Sequence, residues 1–256
     1  MTTQAETAVY VYGILPGDVE YDEPPTGVGN PPSPVRLVRH RDIAALVSDV
    51  EVSNRLGTPD DLLVHEELLD ANAAEVPVLP LRFGAVVADE DAVAAELLEP
   101  YYDEFSAALQ ELDGYQEYIV RGRYVQEAIL REILAEDPRA AGLAARTRDA
   151  DPAASREGQI QLGQLIGEQL ADKRTQDTQQ LSDALADRVS MSVIRPPGDD
   201  LEAMHAAFLV KATDAAEMVS AVQELAVGWK GRVELRIIGP VAAYDFVVTT
   251  GTSPGG

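Results

Sequence analysis

Short β-branched and aromatic runs alternate along this chain with segments of helical period. Ala8–Leu15 (AVYVYGIL) is apolar almost throughout and predicts a buried strand. It runs into Pro16-Gly17, and the stretch to Pro34 carries Pro24, Pro25, Pro31, Pro32 and Pro34 with Gly27 and Gly29 between them. Such a stretch can be neither helix nor central strand, so it reads as a surface loop. Val35–Arg39 and Ile43–Ser48, separated by His40-Arg41-Asp42, predict a hairpin. A helix then starts at Thr58, with Thr58 as N-cap, Pro59 at N1, and Asp60 and Asp61 where the helix dipole favours anions. Its apolar stripe is Leu62, His65, Leu69, Ala73 and Val76. Val78–Val87 (VLPLRFGAVV) predicts a strand interrupted by Pro80 and Gly84. Asp89 caps a further helix bearing Val93, Leu97, Phe105 and Leu112, split or kinked at Pro100.

After Asp113-Gly114 a strand-first pattern begins again. Tyr115–Arg123 is strand-like and Tyr124–Glu136 helical, with Ile129 and Ile133 four apart. Pro138 opens a looser stretch. Asp151-Pro152 starts a long helical region reaching about Val189, in which Leu162, Ile166 and Leu170 share a face, as do Leu181, Leu185 and Val189. Ala171–Gln180 between them is nearly all polar and predicts a projecting or solvated middle. Val189–Arg195 and Ala206–Ala212 are strand candidates. Asp214 with Glu217 resembles a capping box opening a helix with Met218, Val222 and Leu225, and Gly228 follows as a C′ residue. Arg232–Ile238 alternates, with Val233, Leu235 and Ile237 on one face.

The class is therefore α+β, in two domains. Residues 114–248 read β–α–β–β–α–β, a ferredoxin-like module with a long helical insertion. Residues 1–113 have the elements of a related small α/β layer. The tail, residues 249–256, is small and polar and predicts disorder.

Composition narrows the chemistry. The 256 residues carry 44 acidic and 20 basic side chains, a net charge of −24, and no cysteine. Unaided nucleic-acid binding needs a basic face, and an anionic membrane surface repels such a chain. Without cysteine there are no disulfides, thiolate metal sites or thiol catalysis. No apolar run reaches the ~18 residues of a membrane helix, and the first residues lack the features of a secretory signal, so the expected compartment is the cytosol.

Catalytic signatures are missing at the expected places. There is no phosphate-binding G-x-x-x-x-G-K-[ST] and no G-x-S-x-G. His65-Glu66-Glu67-Leu68-Leu69 fails the H-E-x-x-H zinc pattern at its last ligand. No catalytic, cofactor-binding or metal-binding residue is assigned. His65, on the apolar stripe of its helix, is either a semi-buried histidine bonded to a backbone carbonyl or a catalytic group, and its neighbours favour the first. Arg82, between Leu81 and Phe83, reads as a buried, paired arginine. Gly163 and Gly167 allow either close helix approach or a weakened helix. Trp229, in the Gly228-Trp229-Lys230 turn, is packed, or, if exposed, an anchor for a partner.

Several segments, in order, resemble one family. They are VYVYGIL with Tyr12 and Gly13, the helix containing His65, Leu79, Pro80, Arg82, Phe83 and Gly84 of the L-P-x-R-F-G core, and Gly239, Pro240, Tyr244 and Phe246 near the end. Together they resemble the gas vesicle protein F/L family over nearly the whole chain. One departure is that Val241, Ala242 and Ala243 stand where the family is richer in proline and aromatics. The resemblance implies two α+β domains, no reaction and no cofactor. It implies an accessory or minor structural protein that assists gas vesicle assembly, partnered by the hydrophobic shell protein and other accessory proteins. A rival reading is a ferredoxin-like enzyme or small-molecule-binding regulator with a cleft between its halves.

Overall fold

In the computed structural model, which describes residues 7–53, 56–149 and 152–247, the first apolar run forms strand β1 (Thr7–Pro16), buried from Val9 to Leu15. A strand apolar on both faces belongs in the middle of a sheet. β1 accordingly pairs antiparallel with β3 (Ile43–Glu51) on one side and with the two-residue strands β4 (Leu79–Pro80) and β5 (Val86–Val87) on the other. β2 (Arg36–His40) completes the predicted hairpin with β3, turning through Arg41 at φ 55°. The strand order is β2-β3-β1-β4 with β5 also on β1. The register slips between Val11 and Gly13, so Tyr12 is the extra residue of a β-bulge. Gly13 permits the close approach of β4, because a Cβ there would lie 2.7 Å from the Leu79 carbonyl oxygen.

Helix α1 (Pro59–Ala73) begins as expected. Thr58 caps it and Asp61 returns the bond to the Thr58 backbone, a reciprocal capping box. Its buried face is Asp61, His65, Leu68, Leu69 and Asn72, while Leu62 stays 42% exposed. Asp89 caps α2 (Glu90–Ala92), which runs straight into a π-helical turn, Val93–Leu98. Pro100 separates that turn from α3 (Tyr102–Leu112).

The second sheet is built from β6 (Tyr115–Tyr124), β7 (Met191–Ile194), β8 (Glu202–Lys211) and β9 (Val233–Val241), in the order β7-β8-β6-β9. Both sheets are antiparallel. Between β6 and β7 lie α4 (Gln126–Glu136), α5 (Pro138–Asp149) and α6 (Pro152–Leu185). The stretch after Pro138, expected to be loose, is helix α5, since Pro138 can occupy its first turn and alanines fill its body. A short 3₁₀ turn, Ala212–Asp214, precedes α7 (Ala215–Gly228). The expected capping box at Asp214 does not form: its side chain makes no cap bond, because the backbone there already turns in the α region rather than extending.

The polar middle of α6 is solvated along one side, where Ala171, Asp172, Thr175, Gln176, Gln179 and Gln180 are exposed, and closed along the other. Lys173 and Asp177 are 8% and 4% exposed, in the same buried stripe as Leu170, Leu181 and Leu185. Lys173 Nζ pairs with Glu132 at 2.5 Å and Glu136 at 2.7 Å on α4. Asp177 accepts the Tyr124 hydroxyl at 2.7 Å and pairs with Arg232 at 2.9 Å. Arg232 also holds Glu132 at 2.6 Å. Burial alone would lower the lysine's pKa, but the two glutamates outweigh it and raise it above its ordinary value. Charge enters the core here because every member has a partner. Gly163 and Gly167 meet nothing within 4 Å; the close approach on α6 is instead at Gly158, where a Cβ would lie 2.7 Å from Thr147 of α5.

The chain divides into two compact units. One comprises the described residues up to Tyr118, Lys211–Thr213 and those from Gly239 onward; the other is Ile119–Val210 with Asp214–Ile238. The division expected at 113/114 differs in assigning the end of the chain, to residue 248, to the second domain. That end belongs with the first unit because its backbone is bonded there: Ala242 N–H donates to Asp70 of α1 at 2.9 Å, and Asp245 N–H to Glu117 at 3.2 Å. The expected disordered tail, residues 249–256, lies outside the described residues.

Candidate functional site

Tyr10 and Tyr12, two residues apart on β1, are both fully buried, so their hydroxyls need partners inside the first unit. Tyr12 Oη lies 2.8 Å from Ser48 Oγ and accepts Val28 N–H at 2.7 Å, tying β1 to β3 and to the proline-rich loop. Tyr10 Oη accepts Gly84 N–H at 3.0 Å and lies 3.0 Å from His65 Nδ1. The amide can only donate, so the Tyr10 proton is free to go to Nδ1. His65 is then protonated at Nε2, which lies 3.0 Å from Tyr244 Oη, and the Tyr244 hydroxyl points on to the Leu81 carbonyl at 3.5 Å. The network thus assigns one continuous direction of donation from Gly84 to Leu81.

His65 sits at its centre, 2% exposed. The Tyr12 ring stacks on it at 5.7 Å, and the rings of Phe83 and Tyr10 meet it edge-on at 5.5 and 5.8 Å. Burial holds its pKa below the ordinary histidine value, opposed only by the Leu81 carbonyl, so the imidazole is neutral at pH 7. Both ring nitrogens are occupied by tyrosines. The arrangement can therefore clamp β1, α1, the β4–β5 loop and the C-terminal segment together.

Two carboxylates on α1 extend the clamp. Asp61 Oδ1 accepts Gly29 N–H at 3.0 Å, while Oδ2 accepts the Thr58 hydroxyl and the backbone N–H groups of Thr58 and Gly57 at 2.8–3.1 Å. Burial pushes the Asp61 pKa up, but these donors outweigh it and hold it below the usual range. Asp70 is raised instead, by burial and by nearby Glu66, against the single donor Ala242 N–H.

The residues singled out in the sequence fall into three groups. Tyr12, Gly13, His65, Leu79, Phe83, Gly84 and Tyr244 meet in or beside this cluster; Leu79 and Pro80 form β4, opposite Ile14 and Gly13. Gly84 takes φ +91°, a conformation that favours glycine. Gly239 and Pro240, joined by a cis bond, lie in β9, where a Cβ on Gly239 would fall 2.6 Å from the Tyr118 ring. Phe246 is partly buried in the turn that follows.

One expectation is corrected, and one pair of alternatives is decided. Arg82 is exposed and has no hydrogen-bond or ion-pair partner among the described residues, because the loop turns the Phe83 ring inward against His65 and so leaves its neighbour facing water. Of the two placements expected for Trp229 the packed one holds: it is 8% exposed at the C-terminus of α7, where its backbone N–H donates to Leu225, and it offers no exposed anchor. Sequence reasoning missed Tyr10, Ser48 and Asp70. The spacing of Tyr10 and Tyr12 on one apolar strand was the available signal, since two buried hydroxyls require partners. Among the described residues, no group of three or more His, Asp or Glu side chains is placed to hold a metal ion.

Similarity to known proteins agrees with this framework. The profile of the family described as "Gas vesicle synthesis protein GvpL/GvpF" matches residues 8–248. Gas vesicle protein F of Streptomyces sp. (strain CB03234) is 31% identical over 242 residues, covering 94% of this chain and 99% of that protein. Gas vesicle protein F of Dolichospermum flosaquae is 25% identical, over 93% of this chain and 96% of its own length. The crystal structure of GvpF from Anabaena sp. PCC7120 shares the fold, with a TM-score of 0.78 and 24% identity across 94% of this chain and 98% of that one. With the family profile spanning both sheets and the segment that closes on His65, the chain belongs to the gas vesicle synthesis protein GvpL/GvpF family.

Proposed function

We propose that this protein is an accessory or minor structural protein that binds the hydrophobic gas vesicle shell protein and assists vesicle assembly, without catalysing a reaction. The observation that carries the reading is the match of the family profile to residues 8–248, at 31% identity to a gas vesicle protein F along nearly the whole chain. The net charge of −24 supports it, since a strongly charged carrier keeps an aggregation-prone partner dispersed. The protein works in the cytoplasm, associated with the vesicle, alongside other gas vesicle proteins. Among the described residues no helix is long and apolar enough to cross a membrane. Its second unit is a ferredoxin-like βαββαβ module with α5 and α6 inserted; the order β7-β8-β6-β9 supports this layout. The two units act as separate domains.

The contact surface is apolar, since an apolar partner offers mainly area worth about 25 cal/mol per Å² on burial. The test is deletion of the gene in a vesicle-forming host together with co-purification against tagged shell protein. Defective vesicles and specific retention are expected. Normal vesicles with no retention would overturn the reading.

A further inference from the structure

The second sheet runs β7-β8-β6-β9, so β7 and β9 are its edges, while β2 on one side and β4 and β5 on the other edge the first sheet. An open edge offers unpaired backbone groups to any strand that meets it, and charge, proline or shortness ordinarily blocks it. β2 carries Arg36, Arg39 and His40, β9 carries Glu234, Arg236 and Pro240, and β4 and β5 are two residues each. β7, Met-Ser-Val-Ile, has neither charge nor proline, and Met191 and Ile194 are 55% and 49% exposed. Its ladder also extends beyond Met191–Ile194. Ser190 N–H donates to the Leu209 carbonyl and Arg195 N–H to the His205 carbonyl, each at 2.8 Å.

The register shows which backbone groups face the open side. Met191 lies opposite Leu209 and Ile194 opposite Ala206. In an antiparallel pair alternate residues exchange bonds, and the bond from Arg195 to His205 sets the parity. Met191 and Val193 therefore bond to β8, and the N–H and C=O groups of Ser192 and Ile194 turn outward. Ser190 is already committed to Leu209, and Pro196 has no N–H to offer.

Charge decides what fits there. An acidic strand is repelled by the net charge of −24, and a basic one is drawn to the acidic surface rather than to this neutral edge. The matching strand is uncharged and presents its own bonding groups in the same short window. Among the described edge strands longer than two residues, β7 alone meets both conditions. A second copy turned antiparallel about an axis through Val193 sets Ser192 opposite the partner's Ile194, and each such pair exchanges both backbone bonds. Val193 then lies against the partner's Val193, and Met191 along the aliphatic stem of the partner's Arg195. A register centred on Ser192 would need the Ser190 N–H, which Leu209 already holds.

We propose that β7 pairs with β7 of a second copy of this chain in the register centred on Val193, joining two four-stranded sheets across a two-fold axis. This pairing is independent of shell binding. A contact this short falls below the about 1,000 Å² of a stable interface, and the two copies repel one another, so the dimer is reversible and is strengthened by salt.

Sedimentation equilibrium of the full chain, up to about 1 mM protein, tests it in about 0.1 M and about 1 M NaCl. A dimer is expected that grows with concentration and tightens in the higher salt. Ser192→Pro removes an outward N–H from each copy and none from the β7–β8 ladder. It should weaken dimerisation at least about tenfold while the melting temperature stays that of wild type. Ile194→Lys should weaken it likewise by placing a charge on the edge. Val193→Pro, whose lost N–H faces β8, should instead lower the melting temperature. A chain that is monomeric throughout, or a dimer that survives both Ser192→Pro and Ile194→Lys, would overturn the proposal. So would a monomeric chain whose retention by tagged shell protein is lost in Ser192→Pro, because the edge would then belong to the shell protein.

Discussion

Replacing His65 by phenylalanine isolates what its two hydrogen bonds contribute, because an aromatic ring of similar size keeps the contacts with Tyr12, Phe83 and Tyr10. The two partners differ in what they lose. The Tyr10 hydroxyl is fully buried, so His65→Phe leaves its proton without an acceptor, a penalty of about 1–3 kcal/mol. Tyr244 is 41% exposed, so water can replace the imidazole there, and its loss costs up to about 1 kcal/mol. The sum is about 1–4 kcal/mol, which lowers the melting temperature by roughly 2–15 °C for a chain of this size. Scanning calorimetry at pH 8 measures it. Tyr10→Phe added to His65→Phe removes the stranded hydroxyl as well, while the freed Gly84 amide is exposed and takes water. The double variant should therefore lose about 1 kcal/mol less than the sum of the two single losses. The pH dependence has a definite sign. The folded imidazole resists protonation, whereas the unfolded one takes a proton near pH 6.5. Its contribution is thus complete above pH 6.5 and is lost as pH falls through the folded-state pKa. The gap between wild type and His65→Phe should narrow below pH 6.5. A His65→Phe protein that melts within about 2 °C of wild type at pH 8, or a gap independent of pH, would refute the clamp.

Phe83 is only partly buried against the cluster, so Phe83→Ala should cost about 1.5–2.5 kcal/mol in urea unfolding, roughly half the price of a fully buried phenylalanine. Asp177→Ala should cost about 2–4 kcal/mol by the same measurement, because it strands the buried Tyr124 hydroxyl and leaves Arg232 short of a partner. Gly163→Ala and Gly167→Ala should each stabilise α6 by about 0.5–1 kcal/mol, since nothing lies within 4 Å of either added Cβ. Gly158→Ala should forfeit that gain against Thr147, and equal midpoints for all three glycine variants would show that α5 does not pack closely there.

Much of the architecture was legible without coordinates because its causes are local. The β-branched run of β1, the Thr58–Pro59 start of α1, the cap at Asp89, the break at Pro100 and the alternation of β9 each depend on residues within a few positions of one another. The family motifs were legible in the same way, as short strings. Burial of the side chains in those strings was not. The apolar neighbours Leu81 and Phe83 predicted a buried Arg82, but β4 and β5 are only two residues long, and the loop between them turns Phe83 rather than Arg82 inward.

What the tertiary structure alone decided are the pairings between distant residues. Lys173 and Glu136 are 37 positions apart, Arg232 and Glu132 100, and His65 and Tyr244 179. The polar stretch Ala171–Gln180 is solvated along most of its length, as its pattern indicates, but partners on α4 and Arg232, just before β9, bury Lys173 and Asp177 within it. The end of the chain likewise reads as part of the second domain until Asp70, Glu117 and His65 accept or donate its bonds. Sequence determines which groups must find a partner if buried, through hydropathy and hydrogen-bonding capacity; only the folded chain determines which partner each one finds, because that depends on contacts whose separation no local pattern encodes.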